Sequence, residues 1–428
     1  MAPGKSEEER FAAKALQELR REDVSPGTAA RCCLSLLAVV KTKDWSRVKR
    51  ASGEADSLAV ADALQRASDA AGVPLDYESF AGLNPDNVRK LVSIFDRIAK
   101  WEMQLIQAIA EAFAIRAIEG YQTPGPVAEL MAEIARPPAG ATLFDPAARG
   151  GLVLLWSALR AGEESVHVRG WSYYDDAAGP EAWKVAALVL RASGVPDIQI
   201  DPAPPVDEYH TTPAPPADVV VSDLTEVPAR DPRREWAPKV QGLLSNLAGS
   251  KTLVILVPNN HLAKAADLKK FLADSGALAA MIRLPASQFP RVLHDVDLLA
   301  LRGDRASGLD REILFVDLAA YFAADRSRSL DAGVSREVGE IYEAFLSGSE
   351  DWKGESIARF ARAVPLADIR RDDAAGPELE VTFYVPLVVE PIDLRAELER
   401  LRKVEKERRA VETDLERRIE DVLGVIRT

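Results

Sequence analysis

Cysteine and histidine are scarce in this chain. Its 428 residues include two cysteines and four histidines. Cys32 and Cys33 are adjacent within an apolar run, so they can form neither a disulfide framework nor a cysteine-based zinc site. The histidines lie far apart in the sequence and lack the spacing of metal ligands. The sequence therefore predicts no metal site, and it favours a reducing compartment, the cytoplasm.

Long apolar runs are also missing. No stretch approaches the roughly 20 uninterrupted apolar residues that a membrane span requires. The N-terminal segment Ser6–Arg10 is charged, and no apolar core of a signal peptide follows it. We therefore expect neither secretion nor membrane insertion.

Net positive charge is absent as well. Acidic residues outnumber basic ones by 67 to 54, which gives a net charge of −13. Nonspecific affinity for nucleic acid comes largely from Lys and Arg that displace counterions from phosphates. If DNA is a partner, a local basic patch or another protein must deliver it. The 47% apolar composition nevertheless supports a sizeable core, and the length suits two or three domains.

The chain is predicted to have three parts. Residues 1–118 show helical three-to-four spacing of apolar residues and few strand-like alternations, which predicts a helical N-terminal domain. From Thr123 onward, helical segments alternate with short apolar strands, which predicts an α/β domain over 119–390. We expect a doubly wound, mostly parallel sheet that binds ligands at the carboxyl ends of its strands. The predicted strands are 142–144, 167–171, 198–200, 218–221, 252–257, 279–284, 296–301 and 313–316.

Residues 391–428 form the third part. From Leu394 to Ile426, apolar residues recur at intervals of three, four or seven, without Pro, and without Gly before Gly424. This pattern is typical of a coiled-coil-like helix. Two interpretations remain open: the helix packs on its own chain, or it associates with a partner helix, either of another subunit or of a second copy.

Several short segments follow one another in an order that carries family information. The first, Gly120–Pro124, reads GYQTP, and the second, Phe144–Gly151, reads FDPAARGG. Two later segments combine an apolar strand with proline: Val254–Leu262, which reads VILVPNNHL, and Ile282–Pro285, which reads IRLP and is followed by Phe289.

In this order the chain resembles the modification (methyltransferase) subunit of type I restriction-modification systems, over most of its length. GYQTP resembles the family's Tyr-Phe-Thr-Pro, and FDPAARGG resembles its Asp-Pro-Ala-Cys-Gly-Thr-Gly. The later segments resemble the family's Val-Leu-Pro strand and its following Leu-Pro and Phe. The resemblance implies a class I, Rossmann-like methyltransferase fold with S-adenosylmethionine as cofactor.

The resemblance also implies a cofactor site at the end of the first strand. There a Gly-rich turn lets the backbone approach the methionine part of the cofactor, and the Thr-Pro segment lies against the same molecule. In this chain Arg149 replaces the first glycine and Ala148 the cysteine. The alternative is a tight strand-to-helix turn without a ligand. The residues implied for cofactor binding here are Thr123, Pro124, Asp145, Pro146, Gly150 and Gly151.

A further cofactor position is implied at the end of the second strand. In the family an acidic residue there follows Gly-x and accepts hydrogen bonds from the ribose hydroxyls. The matching segment is Gly170-Trp171-Ser172, which places Ser172 where the carboxylate stands. The nearby Asp175 and Asp176 could substitute, although loop aspartates more often serve as turn or cap residues.

The fourth strand carries the implied catalytic position. Adenine-N6 methyltransferases have Asn-Pro-Pro-Phe/Tyr there, which orients the exocyclic amine and stacks on the flipped base. In this chain Asp223, Leu224, Thr225 and Glu226 take those places. Asp223 can still accept a hydrogen bond from an amine, but the proline and the aromatic ring are replaced. The pattern indicates a retained fold whose original chemistry is lost or redirected.

A basic cluster follows this position. It is the best local candidate for contacts to nucleic-acid phosphates, and the alternative is a solvated loop. Its members are Arg230, Arg233, Arg234 and Lys239.

Three functions are consistent with the sequence. The first is an N6-adenine DNA methyltransferase-like protein of a DNA modification or defence assembly, either active or inactive. The second is a noncatalytic scaffold that binds a DNA-recognition subunit or a second copy of the chain. The third is a methyltransferase that acts on a small molecule in the altered pocket.

Overall fold

A computed structural model describes most of the chain. The described residues are 7–19, 24–54, 56–117, 122–162, 166–172, 182–202, 214–225, 240, 242–243, 252–289, 292–303, 312–324, 329–350, 352–354, 357–369, 371–372, 376–385, 402, 405–406 and 408. The chain divides into two compact units, Met1–Pro386 and Leu387–Thr428. The domain boundaries predicted at 118/119 and 390/391 stay predictions.

The elements described before residue 118 are helices, in agreement with the spacing of their apolar residues. Local signals set their first turns: the Ser25 hydroxyl accepts from the backbone N–H of Thr28, and Asp56 and Asn84 cap two later helices in the same way. The helices are α1 (Glu7–Leu19), α2 (Pro26–Val40), α3 (Trp45–Gly53), α4 (Ser57–Ala71), α5 (Glu78–Ala81), α6 (Pro85–Ile98) and α7 (Met103–Ala117).

Strands and helices alternate after this region, as the sequence predicts. The main strands are β1 (Thr142–Asp145), β2 (His167–Ser172), β3 (Asp197–Pro202), β4 (Val219–Asp223), β5 (Thr252–Pro258), β6 (Leu278–Leu284), β7 (Val296–Arg302), β8 (Glu312–Asp317) and β9 (Ala361–Pro365). The helices of this region are α8 (Gly125–Ala135), α9 (Leu152–Ala161), α10 (Ala182–Ala192), α11 (Asn259–Lys264), α12 (Ala266–Ser275), α13 (Leu318–Ala324), α14 (Ala332–Ser347) and α15 (Val381–Tyr384). A two-stranded ribbon pairs Arg371–Asp372 with Gly376–Pro377.

The nine main strands form one sheet in the order β3-β2-β1-β4-β5-β7-β6-β8-β9. Strands β1 to β5 are mutually parallel, and β6 and β8 run in the same direction. Only β7 and β9 are antiparallel to their neighbours. The carboxyl ends of β1, β4 and β5 therefore lie side by side at one edge of the sheet.

Two features of this sheet were not predicted. The connection from β6 to β7 is too short for the helical crossover that parallel strands need, so β7 inserts as an antiparallel strand between β5 and β6. Strand β9 lies beyond the last predicted strand, 313–316. It pairs antiparallel with β8 at the end of the sheet.

The sheet is buried on both faces. Neighbouring residues of one strand contribute to different hydrophobic clusters, as with Val254 and Ile255 of β5. The cluster that holds Val254 continues into helices α1 to α7, and α10 packs against both α2 and α7. This double coverage explains why the strands read as continuous apolar runs rather than as alternating ones.

The second unit is described only at residues 402, 405, 406 and 408, all of which are helical. Arg408 forms a bidentate ion pair with Glu405, and both N···O distances are 3.0 Å. Most of the predicted coiled-coil pattern lies outside the described residues. None of the helices in the described part of the chain has the length and apolarity of a membrane span.

Candidate functional site

Asp145 ends β1 at the carboxyl edge of the sheet and is 1% exposed. Its Oδ1 accepts a hydrogen bond from the Ser222 hydroxyl at 2.7 Å and another from the backbone N–H of Ala147 at 2.8 Å. Burial raises the pKa of Asp145 to about 7, and the nearby Asp223 carboxyl adds to the rise against these hydrogen bonds. This carboxyl therefore changes its charge near neutral pH.

The turn from β1 into α9 requires glycine-like backbone. Gly151 has a φ of +80°, and a Cβ there would lie 2.9 Å from the Cα of Ala186 on α10. Arg149 has a φ of +43°, so this position keeps a left-handed backbone although it carries a side chain. The turn is tied to β2, since the backbone N–H of Ala148 donates to the carbonyl of Trp171 at 2.8 Å.

The segment before α8 reaches the same edge. Thr123 is buried, and its hydroxyl donates to Oδ2 of Asp223 at 2.8 Å. Pro124 is the N-cap of α8, and its fixed φ suits that position. The amide of Gln122 lies against the glycine turn: a Cβ added to Gly150 would be 2.3 Å from Oε1 and 2.7 Å from Nε2 of Gln122.

Asp223 ends β4 and is 1% exposed. Besides the bond from Thr123, its Oδ1 accepts from the Thr225 hydroxyl at 2.6 Å and from the Thr225 backbone N–H at 3.0 Å. A carboxylate offers about four acceptor positions. Most of the acceptor capacity of Asp223 is therefore used within the protein.

The structure thus brings together the residues expected from three separate segments. Two buried hydrogen bonds lie at adjacent strand ends: Thr123 donates to Asp223, and Ser222, the residue before Asp223 in β4, donates to Asp145. The turn of Gly150 and Gly151 follows the end of β1. Pro146 is buried within that turn. Ser172 is the last residue of β2, and its side chain lies outside the described residues, as do Asp175, Asp176 and Glu226.

Sequence reasoning missed Ser222 and Gln122. Ser222 bridges β4 to β1 by its bond to Asp145, and its signal was a polar residue inside an otherwise apolar strand end. Gln122 stands where the family motif has phenylalanine, directly before Thr123. Its contact with Gly150 joins two segments that are distant in sequence, so no local pattern shows it.

A second polar cluster lies further along the same edge, at the ends of β5, β6 and β8 and the start of β7. The Asn259 amide donates to Asp297 at 2.9 Å, and Arg283 pairs with Asp317 at 3.2 Å and with Asp295. Burial raises the pKa of Asp297 to about 7. The cluster ties four strand ends together, and no sequence pattern predicted it.

The predicted phosphate-binding cluster cannot be placed, because Arg230, Arg233, Arg234 and Lys239 lie outside the described residues. Among the residues that are described, no three His, Cys, Asp or Glu side chains are grouped so as to hold a metal ion.

The similarity of this chain to known proteins is limited in sequence and more extensive in structure. No family model matches the chain. Over 166 residues, 38% of its length, the chain is 28% identical to the methylase subunit of the MjaVII type I restriction enzyme of Methanocaldococcus jannaschii. The match spans about a quarter of that relative, 26% of its length.

The structural similarity is more extensive. The crystal structure of a type I restriction-modification methyltransferase subunit from Streptococcus thermophilus superposes with a TM-score of 0.56 at 16% identity, over 84% of this chain and 95% of that chain. A chain from a structural study of type I restriction-modification assembly superposes with a TM-score of 0.59 at 14% identity, over 95% of this chain and 96% of that chain. The chain therefore has the methyltransferase-like α/β fold of a type I restriction-modification subunit and resembles such subunits in sequence.

Proposed function

We propose that this chain is a methyltransferase-like component of a DNA modification assembly and that it binds S-adenosylmethionine at the carboxyl edge of β1 and β4. The observation that carries the proposal is that two buried hydrogen bonds, Thr123 to Asp223 and Ser222 to Asp145, lie at adjacent strand ends next to a left-handed glycine turn. In a doubly wound sheet, ligands bind at this edge.

The described residues fit such a cofactor. Gly150 and Gly151 let the turn pack closely against other parts of the fold, Gly150 against the Gln122 amide and Gly151 against Ala186. Asp145 is held in place by Ser222 and Ala147. Thr123, Pro124, Pro146 and Ser172 are the other residues proposed for cofactor binding. When bound, S-adenosylmethionine supplies an electrophilic methyl group. The chain's own part is to hold the cofactor and to exclude water from it.

In the catalytic version of this proposal, Asp223 accepts a hydrogen bond from the acceptor amine and so orients its lone pair toward the methyl group. Thr123 and Thr225 fix the Asp223 carboxylate through three hydrogen bonds. An adenine amine in DNA is the acceptor that the family resemblance favours. A small-molecule amine is the alternative acceptor.

The first test is calorimetric titration of the purified protein with S-adenosylmethionine and S-adenosylhomocysteine. We expect binding in the micromolar range, which corresponds to about 8 kcal/mol. No heat of binding, together with an unchanged melting temperature at millimolar ligand, would remove the cofactor site and every catalytic version with it.

A specific observation favours a second function, a noncatalytic scaffold. Asp223 is 1% exposed and its acceptor capacity is largely used by Thr123 and Thr225, as in a structural carboxylate. The double variant Arg149→Gly, Asp223→Asn restores two family residues. If it acquires or tightens cofactor binding relative to wild type, by calorimetry, the loss of chemistry is recent. No change would indicate deeper remodelling and favour the scaffold.

DNA and protein partners are part of the proposal. With a net charge of −13, the chain needs a local basic patch or another subunit to hold DNA, and Arg230, Arg233, Arg234 and Lys239 are the proposed phosphate contacts. The segment 391–428 is the proposed association helix, either for a DNA-recognition subunit or for a second copy. The assembly would act in the cytoplasm, where DNA is accessible.

A further inference from the structure

The side chain of Gln122 lies beside the glycine turn and ends in a buried amide. Gln122 directly precedes Thr123, and its amide packs on Gly150. The Nε2 atom is buried and has no hydrogen-bond partner in the structure as described. Buried polar atoms in native proteins are nearly always hydrogen-bonded, so each exception calls for an explanation.

The chemistry of this atom defines what would satisfy it. A primary amide nitrogen carries two N–H donors and no acceptor, so its partner must present an oxygen or another acceptor. The amide occupies the place that a Cβ at position 150 would take, so it packs directly on the backbone of the turn. The unpaired donor therefore lies at the turn against which a bound cofactor would pack.

The charges around the turn complement an amino-acid group. Asp145 provides a carboxyl at the end of β1, which suits a ligand ammonium, whereas Gln122 provides a neutral donor, which suits a ligand carboxylate. A phenylalanine, which the family motif has at this position, could not make such a bond.

We infer that Gln122 is a binding residue for the carboxylate of the methionine moiety of S-adenosylmethionine, and that its Nε2 donates to that carboxylate. The inference rests on the proposed cofactor site and adds to it a residue that distinguishes ligands by their amino-acid end. In the absence of ligand the unsatisfied amide lowers the stability of the fold.

The test compares two ligands that differ in that end. S-adenosylhomocysteine carries the amino-acid group, whereas 5′-methylthioadenosine keeps the adenosine and sulfur but lacks it. Calorimetric titrations of both ligands would be made on wild type, Gln122→Met, which keeps the side-chain length without the donor, and Gln122→Glu, which adds a like charge. Gln65→Met on the exposed side of α4 is the matched control.

We expect Gln122→Met to bind S-adenosylhomocysteine about ten-fold more weakly than wild type. Gln122→Glu should lose more affinity than that, because it repels the carboxylate. The affinity for 5′-methylthioadenosine should be unchanged in both variants, and Gln65→Met should bind like wild type. Thermal unfolding provides a second readout, since Gln122→Met without ligand should melt at a higher temperature than wild type.

Two kinds of failure are distinguishable. If wild type binds neither ligand, the proposed cofactor site is wrong and the inference falls with it. If wild type binds both ligands but Gln122→Met leaves them unchanged, weakens both equally or tightens S-adenosylhomocysteine, the cofactor site stands and the role of Gln122 is overturned. Tighter binding would mean that the amide obstructs the turn.

Discussion

At the scale of single residues, two buried aspartates determine the character of the candidate site. Asp145 and Asp223 end adjacent parallel strands and are each 1% exposed. They differ in their partners: Asp145 is bound by a serine hydroxyl and one backbone N–H, whereas Asp223 is bound by two threonine hydroxyls and one backbone N–H. Each set of partners predicts a different response to substitution.

The Thr123 hydroxyl should contribute measurably to stability. Thr123→Val keeps the shape of the side chain but leaves Oδ2 of the buried Asp223 without this donor. We expect the free energy of unfolding to fall by about 1.5–3 kcal/mol, as for hydrogen bonds to charged groups. Urea denaturation measures this loss. Thr382→Val, which removes an exposed threonine–glutamate bond, is the control and should change little; equal effects of the two variants would contradict the prediction.

Asp145 should make stability depend on pH. Because burial raises its pKa to about 7, the folded protein holds a proton that the unfolded chain releases above about pH 4. The folded state therefore binds more protons between about pH 4 and 7, so the contribution of Asp145 to stability decreases as pH rises through that window. Asn does not titrate, and its carbonyl oxygen can still accept from Ser222.

We expect the stability of wild type to fall between pH 5 and pH 8 because Asp145 ionises, a loss that Asp145→Asn does not share. The free energy of unfolding of Asp145→Asn minus that of wild type should therefore be about 2 kcal/mol larger at pH 8 than at pH 5. Urea denaturation of both proteins at the two pH values gives this difference. Asp69→Asn, at an exposed position on α4, is the matched control. Parallel stabilities of Asp145→Asn and wild type across the window would show that Asp145 is charged in the fold.

At the scale of elements, the turn from β1 to α9 decides how closely backbone segments approach one another. Its geometry is set by Gly151, which contacts α10, and by Arg149, which keeps a left-handed backbone without being glycine. The antiparallel strand β7 and the cluster around Arg283 and Asp297 join the ends of β5, β6 and β8 at the same edge of the sheet.

Gly151→Ala separates the two demands on this turn. At Gly151 the backbone is left-handed, and an added Cβ would also lie 2.9 Å from the Cα of Ala186. At Gly72 the backbone is left-handed too, with a φ of +63°, but an added Cβ would have no atom within 4 Å. We expect Gly72→Ala to cost about 1–2 kcal/mol of stability for the backbone alone. Gly151→Ala should cost about 1–3 kcal/mol more, because α10 must move.

Denaturant midpoints of both alanine variants provide the comparison. In addition, Gly151→Ala should weaken S-adenosylhomocysteine binding under the proposed function, while Gly72→Ala should not. If the two variants lose the same stability, the close approach of the turn to α10 is not tight.

At the scale of the whole molecule, the two units differ in what they are expected to do. All placed residues of the candidate site, from Gln122 to Thr225, belong to the unit Met1–Pro386. The segment after it carries the heptad-like pattern of an association helix. Cofactor binding and association should therefore be separable.

Removal of residues 387–428 tests this separation. We expect the shortened chain to bind S-adenosylhomocysteine with the affinity of the full chain, because no site residue is lost. Light scattering coupled to gel filtration should show a lower state of association for the shortened chain if the helix pairs copies. If the shortened and full chains contain the same number of copies, the helix binds a different subunit instead. A loss of cofactor binding in the shortened chain would contradict the separation of the two functions.

The sequence by itself determined the helical composition before residue 118 and the positions of eight strands, and its resemblance to a family implied that Thr123, Asp145 and Asp223 belong to one site. These follow from periodicity and motif order, which are local and survive substitution of individual residues. The coiled-coil-like pattern of 391–428 and the basic cluster remain sequence predictions. All four residues of the basic cluster, and all but four residues of the terminal segment, lie outside the described residues.

Only the tertiary structure decided which donors and acceptors form hydrogen bonds with one another. The bonds from Thr123 to Asp223 and from Ser222 to Asp145, separated by 100 and 77 residues, depend on strand order, which composition does not encode locally. The antiparallel β7, the added β9 and the unsatisfied amide of Gln122 beside Gly150 depend on the same order. Hydrogen bonds require positions to within tenths of an ångström, and only the packed sheet fixes them.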